Sequence, residues 1–290
     1  MLMLVFSVLT ASSYSQKSTA VNSEASQKPA AAGIIQRYVD ISALPMPEKQ
    51  KFMRGNVSAE EKALLMRFHL AFQLVKRPDL TTEQKNLIDD SLSIIKIDTY
   101  GHPEDVQPEI ITLAPRIKAA FPGREGFEIF GNIGGTKEDV AILQKYEDLT
   151  PLTSLQRKVV FREATAQEKL GLWRVHVAFY MANHFELTAL QKGFISDFLA
   201  FMTLEVFELS PRDPQWGSKI GKPLDILTDK VLQAFSKDEA ANLVTRLGEP
   251  EKAGTPISTE GVPLPVMDDC GCHRGDGDQC WLGICAKCMQ

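Results

Sequence analysis

The chain has 290 residues, of which 44% are hydrophobic and 24% charged, with a net charge of -5. That is the composition of a soluble globular protein with room for one large or two small cores. It carries no basic patch and no arginine-rich run, which excludes a nucleic-acid binder of the electrostatic kind.

The chain opens on "MLMLVFSVLTA", an apolar run too short to span a bilayer and suited to the core of a signal peptide. Ser13 and Ser15 form a small-x-small pattern that predicts cleavage before Gln16, so residues 1–15 read as a signal peptide. No second hydrophobic segment of spanning length follows, and the product is expected to be secreted or periplasmic, without a transmembrane segment. Residues 16–35 are dominated at their start by Ser, Ala, Gln and Lys. Such a stretch buries too little surface to offset its ordering entropy, and it reads as a flexible leader.

The body beyond it contains a repeat. Residues 58–100 align without gaps to residues 165–207 at an offset of 107, with 15 identities in 43 positions. Among them are Glu61/Glu168, Arg67/Arg174, His69/His176, Phe72/Phe179 and Gln84/Gln191. Similarity resumes between 120–135 and 234–249 at an offset of 114, which places about seven extra residues in the second copy near "LSPRDPQWGSKIGKP". The units are expected at 36–140 and 141–248.

Both copies read as helical. Ser58-x-x-Glu61 and Thr165-x-x-Glu168 have the form of capping boxes, and Thr81-x-x-Gln84 and Thr188-x-x-Gln191 repeat it one helix later. Leu65, Phe68, Phe72 and Val75 follow at helical spacing, matched by Leu172, Val175, Phe179 and Ala182. Ile88, Leu92 and Ile95 mark the next helix, matched by Ile195, Leu199 and Met202. Ile133-Gly134 and Leu247-Gly248 suit the left-handed residue past a helix end. No stretch alternates with period 2. The expected fold class is all-α: two tandem similar helical units, an internal duplication, followed by a linker and a short cysteine-rich tail.

The body offers little chemistry. His69 and His176 hold equivalent places in "RFHLAF" and "RVHVAF", without Cys, Asp or Glu at ligand spacing, and read as structural polar positions. His102 and His184 read as loop or helix-end residues. "GSKIGK" at 217–222 lacks the spacing and the Ser or Thr of a phosphate-binding loop, and "NIGGTK" at 132–137 reads as a helix stop and loop. No hydrolase, metalloprotease or dinucleotide motif occurs, so the expectation is a protein that is not an enzyme and uses no cofactor.

Residues 249–269 carry Pro250, Pro256, Pro263 and Pro265 and read as an extended linker. Beyond it, residues 270–290 hold all five cysteines: Cys270, Cys272, Cys280, Cys285 and Cys288. Three readings of the spacing C-x-C-x7-C-x4-C-x2-C stand side by side. In an exported protein it is a disulfide knot, with Gly271, Gly275, Gly277 and Gly283 supplying turns. As a metal site it would draw on Cys270, Cys272, His273, Cys285 and Cys288, though C-x-C is tighter than the usual zinc spacing. As a redox dithiol, Cys285 and Cys288 lack the βαβ context. The export signal favours the disulfide knot. An odd count leaves one thiol free or available for an intermolecular disulfide with another chain. Trp281, Leu282 and Ile284 form a small apolar cluster, either a minute core or a contact surface. "RGD" at 274–276 reads as a chance tripeptide, and Asp276 with Asp278 offers too few oxygens for calcium.

The run "ATAQEKLGLWRVHV", then "LTALQKGFI", "DPQW", a helix ending "RLG" and finally "CGCHRGDGDQC" resembles the bacteriocin fulvocin C-related proteins. The resemblance covers the second unit and the tail, and reaches the first unit through the repeat. It implies a bacterial, exported, largely helical protein whose cysteine-rich end is like a small antibacterial peptide. An envelope protein or a target cell surface would then be the partner. The family tail is usually richer in Ser and Thr, where this chain has His273, Arg274 and Gly275.

Overall fold

The computed structural model describes residues 32–55, 57–96, 107–210, 212–244 and 247. Among them the only regular structure is helix, as the capping and spacing signals predict. The first helices are α1 (Ala32–Ser42), α2 (Met46–Arg54), α3 (Ala59–Lys76), α4 (Thr82–Ile94), α5 (Gln107–Ala120) and α6 (Glu125–Phe130). There follow α7 (Lys137–Leu149), α8 (Ser154–Glu163), α9 (Ala166–Asn183), α10 (Ala189–Phe201) and α11 (Leu204–Glu208). A π-helical turn, Gly217–Gly221, runs directly into α12 (Lys222–Ala234), and α13 (Lys237–Val244) closes the series. No helix among the described residues is long and apolar enough to cross a membrane.

The chain divides into two compact units. The first takes residues up to Gln144 together with Ala178–Glu186, and the second takes Lys145–Val177 together with the residues from Leu187 on. The end of α9 therefore belongs to the first unit. The linker at 249–269 and the cysteine tail at 270–290 lie outside the described residues, as do residues 1–31.

In the first unit α3 is the central element. Ser58 caps it by accepting from the Glu61 amide at 3.1 Å, and Pro78, just past Lys76, prevents its continuation. The capping box expected here is half formed, because the Glu61 carboxylate turns to Arg37 (3.2 Å) instead of reaching back. Leu65, Phe68, Phe72 and Val75 are all buried, but so are Ala63, Leu64, Met66, Leu70 and Ala71. The helix is thus covered on every side, not along one stripe, because α1, α4 and α6 all pack against it. Truncation of one such ring, Phe68→Ala, costs about 3–5 kcal/mol. Ile34 and Ile35, at the end of the stretch read as leader, are buried on α1.

The second unit places its elements similarly along the chain. Helix α9, from Ala166, answers α3, from Ala59, and α10, from Ala189, answers α4, from Thr82. Both correspondences fall at the offset of the sequence repeat. The boxes Thr81/Gln84, Thr165/Glu168 and Thr188/Gln191 are all closed in both directions. Thr136/Asp139, Thr153/Gln156 and Ser236/Glu239 add three more beyond those expected. Helix α10 packs on α12, whose buried Leu224, Leu227 and Val231 form its inner face. The "GSKIGK" segment is the π turn and the start of α12, not a loop.

Candidate functional site

The five tail cysteines, His273, Trp281, Leu282, Ile284 and His102 lie outside the described residues. What the structure does place are the polar groups that the helical body buries, and they form three arrangements.

The first is a tyrosine–histidine pair that occurs in both units. His69 is fully buried on α3. Its Nε2 is 3.2 Å from the Glu128 carbonyl, which can only accept, so Nε2 carries the proton. Nδ1 is then an acceptor, and the Tyr38 hydroxyl donates to it at 2.8 Å. Tyr38 also meets Phe68 edge-on, with ring centroids 5.1 Å apart. In the second unit Tyr146 donates to His176 Nδ1 at 2.8 Å, and His176 Nε2 donates to the Asn242 carbonyl at 2.7 Å. Burial holds both imidazoles at a pKa of about 4, and near His69 the charges of Lys76 and Lys49 push the same way. Burial raises the Tyr38 hydroxyl well above its usual range. Both pairs are neutral at pH 7 and bonded at every ring nitrogen. They tie α1 to α3 to α6, and α7 to α9 to α13, and face no solvent with which to trade protons.

The second is Arg67, which is 2% exposed. Its guanidinium has five N–H donors, and five backbone carbonyls receive them. Nε donates to Ala182 (2.7 Å), Nη2 to Met181 (2.8 Å) and His184 (2.7 Å), and Nη1 to Ile95 (3.1 Å) and Leu92. These carbonyls belong to the C-terminal ends of α4 and α9, where acceptors lack helical partners and the macrodipole favours a cation. The Phe185 ring lies 4.3 Å from the guanidinium carbon. Burial lowers the pKa to about 10, which leaves the charge intact at pH 7. Arg174 occupies the matching position in the second unit. It is half-buried, burial lowers its pKa, and it makes no hydrogen bond or ion pair among the described residues.

The third is the "NIGGTK" loop. Gly134 has φ +137°, and a Cβ there would stand 2.6 Å from Lys49 Nζ and 3.1 Å from Ser42 Cα. It lies past the cap of α6, which is Gly131 with ordinary φ, so its freedom serves a close approach and not the helix stop expected of it. Lys49 donates to Asn132 Oδ1 at 3.2 Å, and burial lowers its pKa. The Gly135 amide donates to Ser42 Oγ (3.0 Å), and Lys76 pairs with Asp139 at 2.8 Å.

Sequence alone marks the histidines as structural residues but misses Tyr38 and Tyr146 as their partners, and misses the separate carbonyl cluster around Arg67. An arginine inside "ALLMRFHLAF" is the one available signal, since a charge flanked by apolar residues on a helix needs buried partners. Among the described residues no three of His, Cys, Asp or Glu gather to hold a metal ion. Comparison of the chain with protein-family models, with curated proteins and with solved structures finds no match.

Proposed function

We propose that this is an exported bacterial protein, not an enzyme, in which a duplicated helical body carries a disulfide-bonded C-terminal module. The observation that carries the reading is the confinement of all five cysteines to residues 270–290, behind a proline-rich linker and a body with none. A thiol-free body cannot form wrong disulfides with the module while it oxidises, which favours this layout in an oxidising compartment. The matching tyrosine–histidine–carbonyl contacts support the duplication: Tyr38, His69 and Glu128 in one unit, Tyr146, His176 and Asn242 in the other. The likeness of the tail to the fulvocin C-related proteins makes an antibacterial peptide its leading role.

Mass spectrometry of the exported protein, reduced and non-reduced, tests this reading. It expects a mature chain beginning at Gln16, two disulfides within the tail and one unpaired thiol. Growth inhibition by the oxidised 270–290 peptide tests the antibacterial role, and inertness against a broad panel of related bacteria removes it. The fifth cysteine favours one other role, crosslinking to an envelope partner. A mixed-disulfide adduct on a non-reducing gel is its signature.

A further inference from the structure

We infer that the tail segment 276–284 docks on the outer face of α8 in its own chain. The inference rests on the proposed module reading and adds where the module is held. The outer face of α8 is Leu155, Lys158, Val159 and Arg162, at spacings of 3, 1 and 3, which place all four on one side of a helix. All four are exposed, Leu155 at 71% and Val159 at 38%. Neither Lys158 nor Arg162 enters an ion pair among the described residues. The face is apolar and, with Glu163 exposed at its edge beside Val159, still net cationic through Lys158 and Arg162, a surface that wants an acidic, apolar partner.

Other exposed apolar residues of this unit differ. Ile226 is flanked by Asp225 and Asp229, Leu232 lies one turn past Asp229, Leu204 is followed by Glu205 and Glu208, and Leu190 has Gly193 one turn on. The segment after α13 supplies the complement. Residues 249–290 hold seven carboxylates against three Lys and Arg, a net of -4. Within them Asp276 and Asp278 precede Trp281, Leu282 and Ile284, so charge and apolar surface come together in one short stretch. The 37 residues from Val244 to Trp281 can extend to roughly 120 Å, so the tether reaches α8 and holds the tail near it at an effective concentration of about millimolar.

The cysteine-free body makes the test direct. Leu155→Cys, Ile111→Cys and Ile226→Cys are introduced singly into the full chain, at positions 71%, 63% and 57% exposed. Each variant is equilibrated in glutathione buffer, so that thiol exchange can reach the most stable pairing, and disulfides are mapped on peptides. The expected result is an intrachain disulfide from position 155 to a tail cysteine, at least about fivefold more abundant than at the other two positions. Lys158→Glu with Arg162→Glu should erase that preference. Equal capture at all three positions, no capture at 155, capture that grows with protein concentration, or indifference to charge reversal each overturns the docking. If the parent tail shows two disulfides while capture is equal, docking alone fails. If the parent tail shows none, the module reading fails first.

Discussion

Tyr38 and His69, 31 residues apart in sequence, meet through a 2.8 Å hydrogen bond in which the phenol donates and the imidazole accepts. Tyr146 and His176, 30 residues apart, make the same bond in the same direction. Both imidazoles are locked neutral, with a folded pKa of about 4 against about 6.5 in an unfolded chain. Between those values the unfolded state binds more protons than the folded one. Stability is therefore fully present above pH 6.5 and falls as pH drops toward 4, by about 3 kcal/mol for each histidine. Urea unfolding between pH 7.5 and 4 should show this loss, and His69→Gln with His176→Gln should flatten the slope in that window. A double variant as steep as the parent would assign the acid sensitivity elsewhere.

Removal of the donor alone asks a different question. Tyr38→Phe leaves His69 Nδ1 buried without a partner, at a cost of about 1–3 kcal/mol. Tyr146→Phe should cost a similar amount at His176. Denaturant midpoints at pH 7.5 measure both, and losses of similar size are expected because both tyrosine–histidine bonds are 2.8 Å long and buried, with Tyr38 losing in addition its bond to the Gly134 backbone.

Arg67 and Arg174 should part company under mutation. Arg67→Lys keeps the charge but has three donors for five carbonyls, and a point charge cannot reproduce a planar fork. The expected loss is about 3–5 kcal/mol, comparable to breaking a buried charged pair. Arg174→Lys, with no such bonds among the described residues, should cost under about 1 kcal/mol. If Arg67→Lys does not accumulate in soluble form, its midpoint can be read in the presence of a stabilising osmolyte. Equal losses at the two positions would contradict the five-carbonyl account.

The contrast between these residues explains what can be read in advance. The helices announce themselves through short-range contacts, as in Thr81 with Gln84 and Thr188 with Gln191. Similarity between the two stretches of sequence shows in side chains such as His69 and His176, which recur at one offset. Tyr38 gives no local sign of its partner, since nothing near it in sequence signals a hydrogen bond to a distant helix. Arg67 is harder still. Its acceptors are backbone carbonyls, which every residue carries, and three of them lie 114–117 residues away. Ser58 marks the limit from the other side: its cap forms, but Glu61 is drawn off by Arg37, a competitor on α1.

That competition predicts unequal caps. Thr188→Ala removes the side-chain acceptor of a box closed in both directions and should cost about 1 kcal/mol or more. Ser58→Ala removes a single bond and should cost less, toward the lower end of about 0.5–2 kcal/mol. Arg37→Ala should then reduce that difference by freeing Glu61 to turn back. Thermal midpoints of the three single variants and of Ser58→Ala with Arg37→Ala provide the comparison.

Gly134 tests the packing of the loop against α1 and α2. Gly134→Ala places a methyl at φ +137°, where L residues are strained, and drives it to 2.6 Å from Lys49 Nζ. The strain alone costs about 1–3 kcal/mol. Lys49 can swing away, but Ser42 Cα at 3.1 Å is backbone and cannot. Lys49→Ala should therefore relieve only part of the Gly134→Ala loss, leaving a coupling energy of about 0.5–1 kcal/mol in a double-mutant cycle. Full rescue by Lys49→Ala would place the whole penalty on the ammonium contact. No rescue would place it on the backbone conformation and the Ser42 contact together.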